Sequence, residues 1–326
     1  MLVTAKINAR NRMRGAGLAA VTFAFLCVAG LATGLSAWSW LLAGLGGIAT
    51  YRSLRQRCVQ RLRIMREPFP ESWKEILQTR VRFYRALSPD KQERFQKLAQ
   101  IFLSEVQITG VRTEIDETIR VLTAASAVIP IFGFEDWDYS RLREVLIYPT
   151  TFDKDYKTEK TTERDILGLT GLGSLSGVMI LSKPALLQGF QCDDKENVGI
   201  HEFAHLVEDE EIRRGFPREV PVEVMREWVR FVAGELAQPV NRAHINPYGY
   251  TNEHEFFAVL AEYFFDSPEL LREKDPRLYQ MLREIFHQDP AALFSQMPSR
   301  QPAGTSAPCP CGSGRKFKEC CLPVAH

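Results

Sequence analysis

The sequence predicts an α+β protein that is mainly helical and divided into an apolar N-terminal segment, a long body and a short cysteine-rich tail. Three observations predict this. Residues 15–51 contain no charged side chain. Across the body apolar residues recur at three and four spacing, interrupted by two short β-rich runs. Four of the seven cysteines fall in the last eighteen residues. The 326 residues carry 41 basic and 40 acidic side chains, a formal charge of +1, so no basic surplus points to nucleic acid.

Taken in order, the uncharged stretch is long enough for a bilayer, since about twenty residues cross it. One straight helix of that length would overshoot the roughly 30 Å hydrocarbon core. Thr33-Gly34-Leu35-Ser36 offers a turn, and two short helices in a hairpin are expected. Lys6, Arg10, Arg12 and Arg14 precede the stretch, and Arg52, Arg55, Arg57, Arg61 and Arg63 follow it. Both flanks therefore prefer the cytoplasm, which favours the hairpin and a cell-membrane location with the body on the cytoplasmic side. The competing reading is a cleaved signal peptide ending near Leu35-Ser36-Ala37, but further apolar and strongly basic stretches follow that point. The expected divisions are residues 1–50 as anchor, 51–296 as body, 297–308 as linker and 309–322 as a separate small unit.

From 51 to about 109 the pattern is helical, with breaks at Pro68-Phe69-Pro70 and at Ser88-Pro89-Asp90, where Pro suits the first helical position. A further helix is expected over about 114–129, ending before Pro130, and its Ala124-Ala125-Ser126-Ala127 run suits close packing against a neighbour. Val145-Leu146-Ile147-Tyr148 and Val178-Met179-Ile180-Leu181 read as strands. The glycine-rich loop before the second lacks the Lys-Ser/Thr of a phosphate cradle. A helical connector follows over 215–245, and helices continue to about 294.

The chemistry concentrates in Gly199-Ile200-His201-Glu202-Phe203-Ala204-His205-Leu206. Histidines at i and i+4 project from one helical face and can bind a single metal ion. Glu202 is too close in sequence to complete the same tetrahedron, but it stands beside the open coordination position and is the candidate general base. The surrounding Ile200, Phe203, Ala204, Leu206 and Val207 are apolar, so the polar trio is the anomaly on a buried helix. Asp193, three residues before Glu196, suits an N-cap with a capping box. For a third ligand the metzincin pattern is disfavoured, because Glu208 and Glu211 stand where glycine and histidine or aspartate belong. The later helical run 252–265 supplies Glu255 and Glu262, one heptad apart on one face. One can ligate while the other supports a ligand histidine, and spacing does not choose between them. The strand at 177–182 is the candidate edge for pairing with an extended peptide; an ordinary inner strand is the alternative.

These stretches together resemble the Mlc titration factor A family of zinc peptidases. The resemblance rests on Gly177–Ser182, His201-Glu-Phe-Ala-His205, Tyr248-Gly-Tyr-Thr251 and Glu255-Phe-Phe-Ala-Val-Leu-Ala-Glu-Tyr-Phe-Phe265. Pro68-Phe-Pro70 with Trp73, Phe102-Leu-Ser-Glu105 and Val145–Pro149 extend it, so that it covers roughly residues 65–290. It implies a zincin-like metallopeptidase body. By that resemblance zinc is bound by His201, His205 and Glu255, Glu202 is catalytic, and Tyr248 assists. The chain departs from the family's usual Tyr-Ala-Ala-Thr with a second tyrosine, Tyr250, which leaves the tyrosine assignment between the two, with Tyr248 favoured. The family also implies contact with a transcriptional regulator, so a binding or sequestration role is the alternative to catalysis. Glu202 speaks against a purely binding role, because holding zinc does not require it.

Residues 297–308, rich in Pro, Ser, Gly and Ala, read as a flexible linker. Beyond it Cys309, Cys311, Cys320 and Cys321, with glycines for tight turns and basic residues that favour thiolates, fit a closed structural zinc site. A piece this small has no core, so the metal must supply its folding energy. A pair of disulfides is the alternative. The tail resembles the SEC-C motif, which implies a protein docking module. The expected cofactors are one catalytic and one structural zinc. The expected partners are a peptide or protein substrate, a membrane and a docking protein.

Overall fold

The computed structural model describes residues 2–34, 37–135, 137–149, 177–191, 196–214, 220–237, 244–297 and 315–316. The chain divides into two compact units, Met1–Pro68 and Phe69–His326.

The first unit is a helical hairpin. Helix α1 (Ala5–Ala32) starts at Thr4, whose hydroxyl accepts from the Ile7 N–H, and it ends at Thr33 before Gly34 at φ +71°. Helix α2 (Ala37–Ile64) returns along it and runs unbroken through position 51. The two helices meet through small residues. A Cβ at Gly15 would touch the Tyr51 ring at 3.3 Å, and one at Gly47 would lie 3.2 Å from the Ala19 carbonyl oxygen. Most large apolar side chains point outward: Phe25 is 71% exposed and Trp38 73%. Among the described residues helix α1 alone passes, by length and composition, as a helix able to cross a membrane.

The second unit is mainly helical with one small sheet. Helices α3 (Glu71–Arg80), α4 (Arg82–Ala86) and α5 (Pro89–Glu105) follow the apolar periodicity. Pro89 takes the first position of α5 as expected, although Ser88 makes no side-chain cap bond. Directly after α5 the structure adds a strand where a helical pattern was expected, β1 (Gln107–Gly110). With β2 (Glu144–Tyr148) and β3 (Val178–Ser182) it forms a parallel sheet ordered β1-β2-β3. Parallel neighbours need a crossover between them. Helix α6 (Glu117–Ile131) lies in the one between β1 and β2. Among the described residues β3 is an edge strand. Gly177, just before it, has φ +94°, and a Cβ there would lie 2.4 Å from the Arg141 carbonyl oxygen, so a side chain is excluded on both counts.

Helix α6 differs from its expected bounds. It begins at the Asp116 cap, which accepts from the Ile119 N–H, and it includes Pro130. The proline sits in the last turn, where only the end of the hydrogen-bond ladder is lost. Its run of small residues does pack closely: a Cβ at Gly199 would lie 2.1 Å from Ser126 Oγ. That approach seats helix α8 (Val198–Arg214), which follows the short α7 (Lys183–Gly189), against α6. Beyond α9 (Val222–Ala237), a 3-10 turn (Pro247–Thr251) leads into α10 (Glu253–Asp266). Helices α11 (Pro268–Lys274), α12 (Pro276–Phe286) and α13 (Pro290–Ser295) close the body. The core around α8 and α10 is aromatic. Phe203 meets Tyr139 at 5.3 Å and Phe102 at 5.6 Å, and the stacked Phe264–Phe286 pair lies at 5.6 Å between centroids.

Candidate metal centre

The centre forms where α8 and α10 pack on each other. Helix α8 starts one residue after Asn197, whose side-chain oxygen accepts from the Ile200 N–H at 3.1 Å and whose amide donates to the Gly189 carbonyl at 2.8 Å. The cap is thus Asn197, not the Asp193 expected from spacing, and Asp193 lies outside the described residues. The competing Asp193/Glu196 spacing hid Asn197. Its signal was an Asn directly before the apolar-periodic run, a strong N-cap residue.

From this start His201 and His205 emerge on one side of α8, with ring centroids 4.8 Å apart and planes nearly perpendicular. Glu255 enters from the first turn of α10. Asn252 caps that turn by accepting from the His254 and Glu255 N–H groups, each at 3.0 Å, and so fixes where the carboxylate begins. One Glu255 oxygen, Oε2, lies 3.0 Å from His201 Nε2 and 3.6 Å from His205 Nε2. The three ligating groups come within 4.8 Å of one another. Ligands about 2.0–2.2 Å from one tetrahedral ion stand about 3.3 Å from each other, so the donor set fits a single ion with two nitrogens and one oxygen.

Glu262 is on the same face of α10, but it reaches the other side of His201. Its Oε1 lies 2.6 Å from His201 Nδ1, and its Oε2 accepts from the Asn197 backbone N–H at 2.6 Å. The Nδ1 contact fixes the ring and leaves Nε2 turned toward Glu255 and His205. Electrostatics follow the same division. Burial works to raise the Glu255 pKa, but the adjacent His201 and His205 imidazoles dominate and hold the carboxyl well below the usual range. At His201 burial favours the neutral ring, while Glu262 and Glu255 together outweigh it and raise its pKa well above the ordinary value. Burial pushes Glu202 upward against the pull of both histidines. Glu202 follows His201 directly and is half-buried.

The remaining predicted residues separate. The Tyr248 ring lies 6.1 Å from the His201 ring, whereas Tyr250 packs edge-on against Phe256 at 5.4 Å. Both sit on the 3-10 turn, where Asn246 accepts from the Tyr248 N–H at 3.0 Å and the Thr251 hydroxyl donates to the Tyr248 carbonyl at 2.7 Å. His254 turns away from the three ligating groups to meet Glu208, 2.9 Å from its Nδ1. This pair, unforeseen from the sequence, ties α8 to the start of α10. Cys309, Cys311, Cys320 and Cys321 lie outside the described residues, as do residues 298–308 of the expected linker and most of the glycine-rich loop.

Comparison with known proteins points to a metallo-peptidase family. The profile of the glucose-regulated metallo-peptidase M90 family matches residues 53–287, and that of the SEC-C motif matches residues 306–323. An uncharacterized protein of Synechocystis is 28% identical over 240 residues, covering 70% of this chain and 87% of its own. Mlc titration factor A of Escherichia fergusonii is 28% identical over 242 residues, 68% of this chain and 87% of that one. Mlc titration factor A of Cronobacter sakazakii is 30% identical over 227 residues, 63% of this chain and 82% of that one.

Proposed function

The chain belongs to the glucose-regulated metallo-peptidase M90 family, and from that premise we propose that it is a membrane-tethered, zinc-dependent peptidase whose body is of the zincin type. The observation that carries this reading is the convergence of His201, His205 and Glu255 beside an acid that ligates nothing, Glu202. Two imidazoles and one carboxylate are the donor set of catalytic zinc, with a position left for water or substrate. Bound there, zinc supplies Lewis acidity toward the scissile carbonyl and toward water.

The chain's own residues do the rest. Glu202 takes a proton from the attacking water and passes it to the departing amine nitrogen; its pKa, raised by burial, suits both halves of that exchange. Tyr248 donates a hydrogen bond to the carbonyl oxygen as negative charge develops on it. Glu262 holds the His201 ring by Nδ1, and Asn197 holds Glu262 in turn. β3, an edge strand among the described residues, offers its backbone to an extended substrate.

Membrane attachment rests on the hairpin, whose outward apolar side chains need a nonaqueous surrounding. Its basic ends favour the cytoplasmic side for the body. Residues 297–308 act as a linker, and the cysteine tail as a zinc-folded docking module. A second reading follows from the printed name of the relatives, titration factors of Mlc: binding a regulator is a role beside catalysis. The test is Glu202→Gln in the full chain. Peptide hydrolysis is expected to fall by about 10²–10⁴-fold with zinc content unchanged, because a proton carrier and not a ligand is lost. Undiminished turnover would overturn the mechanism.

A further inference from the structure

We infer that the base of the hairpin is a binding surface for anionic phospholipid headgroups, so that the anchor selects acidic lipid as well as crossing the bilayer. This rests on the membrane reading above and adds a ligand class to it. Before Glu67 the chain has ten basic residues and no acidic one, four of them between 6 and 14 and six between 52 and 66. The fold brings these two groups side by side. Arg55 donates to the Asn8 side-chain oxygen at 3.2 Å, and the Asn11 amide donates to the Leu54 carbonyl at 3.4 Å. Gly15 lets the Tyr51 ring close against α1 at the level where charge ends on both helices.

The dimensions agree. The uncharged part of α1, residues 15–32, is about 27 Å long at 1.5 Å per residue, and that of α2, residues 37–51, about 22 Å. Both approach the roughly 30 Å hydrocarbon thickness. The basic residues next to the uncharged segment, Arg12 and Arg14 on one helix and Arg52 and Arg55 on the other, therefore leave the apolar layer together, on one side, at the depth of the phosphates. Arg12, Arg14 and Arg52 are exposed there, and Arg55 keeps one buried guanidinium nitrogen, Nη1, without an acceptor among the described residues. Guanidinium groups match phosphate oxygens in geometry as well as charge, and clustered basic residues beside a membrane helix attract anionic lipid.

The experiment uses the full chain in neutral-detergent micelles, offered equimolar phosphatidylglycerol and phosphatidylcholine, with retained lipid read by native mass spectrometry. Phosphatidylglycerol adducts are expected to exceed phosphatidylcholine adducts about tenfold, since several charge pairs act together. In the exposed triple variant Arg12→Gln, Arg14→Gln, Arg52→Gln the excess should fall to within about twofold. Equal retention by the wild type, or a preference that survives in the variant, would overturn the inference. Alkaline extraction from pure phosphatidylcholine liposomes separates it from its premise. Release of the wild type overturns the membrane reading and this inference together, whereas integration without lipid preference overturns this inference alone.

Discussion

Helices α8 and α10 in the body and α1 and α2 in the hairpin are both packed helix pairs, yet each hides what the other displays. Around the metal centre Phe203, Phe256 and Phe264 are fully buried, and the polar atoms enclosed with them find partners: His201 with Glu255 and Glu262, and Glu262 with Asn197. In the hairpin Phe25 and Trp38 face outward, and the buried positions described within the uncharged stretch are glycine, alanine and cysteine. A water-soluble core cannot keep such polar groups unless each is matched. A water-exposed surface does not keep so many large apolar side chains without another medium to meet them. On the proposed function each departure from the ordinary distribution has its own cause, a cation for the first pair and lipid for the second.

The sharpest way to break this comparison is to remove one carboxylate at a time from the matched set. On the proposed function Glu255→Ala deletes a ligand, and the full chain should lose zinc at concentrations that saturate the wild type. Glu262→Ala removes only the group that orients His201, for which a loss of about 10–100-fold in metal affinity is expected. Competition with a chromogenic chelator ranks the two. If Glu262→Ala proved the more damaging, the ligand and the orienting residue would have to be exchanged.

The next effect compares one residue type in the two settings. Phe203→Ala empties a site between Phe102 and Tyr139 and should cost about 3–5 kcal/mol of stability. Phe25→Ala in the hairpin removes a side chain already facing outward and should change stability by no more than about 0.5 kcal/mol. Denaturant unfolding of the detergent-solubilised chain reads both. Equal costs would mean that the hairpin's outer face is covered by protein.

Much of the centre was legible because its chemistry is local. His201, Glu202 and His205 lie within one turn, so spacing alone puts the imidazoles on one face. The two strands at 145–148 and 178–181 were legible from β-branched runs. What escaped depended on three dimensions or on weak signals. Glu255 and Glu262 share a face, so no periodicity separates a residue that reaches Nε2 from one that reaches Nδ1; that depends on where α8 crosses α10. Strand β1, Gln107-Ile108-Thr109-Gly110, has a single apolar side chain and continues directly from α5, so the helical pattern absorbed it. Pro130 suggested a helix end, but at the last turn its missing N–H costs little.

A smaller effect is expected where α6 meets α8. Gly199→Ala places a methyl group within 2.1 Å of the Ser126 hydroxyl, and α8 must shift to accept it. Overpacking of this kind costs about 1–3 kcal/mol. Because the shift carries His201 with it, metal affinity should fall along with stability. Gly199→Ala combined with Ser126→Gly, which clears the space, should restore both. Recovery of stability without recovery of metal affinity would show that the α6 contact does not position the ligands.

The smallest effect on hydrolysis should come from the cysteine tail. Residues 309–322 lack the apolar area for a core, so any fixed structure there has to come from a closed metal site of Cys309, Cys311, Cys320 and Cys321. On the proposed reading residues 297–308, rich in Pro, Ser, Gly and Ala, are a linker and give the tail no means of completing the centre at α8 and α10. Removing residues 300–326 should therefore leave small-peptide turnover within about twofold of the full chain, in keeping with domains that dock through flexible linkers. Bound zinc should drop from two ions per chain to about one, since four thiolates with no open position hold an ion of their own. Metal analysis under reducing conditions, paired with peptide hydrolysis, measures both. A truncated chain that keeps its full zinc content would deny the tail a metal site, and one that loses turnover would place the tail in the catalytic architecture.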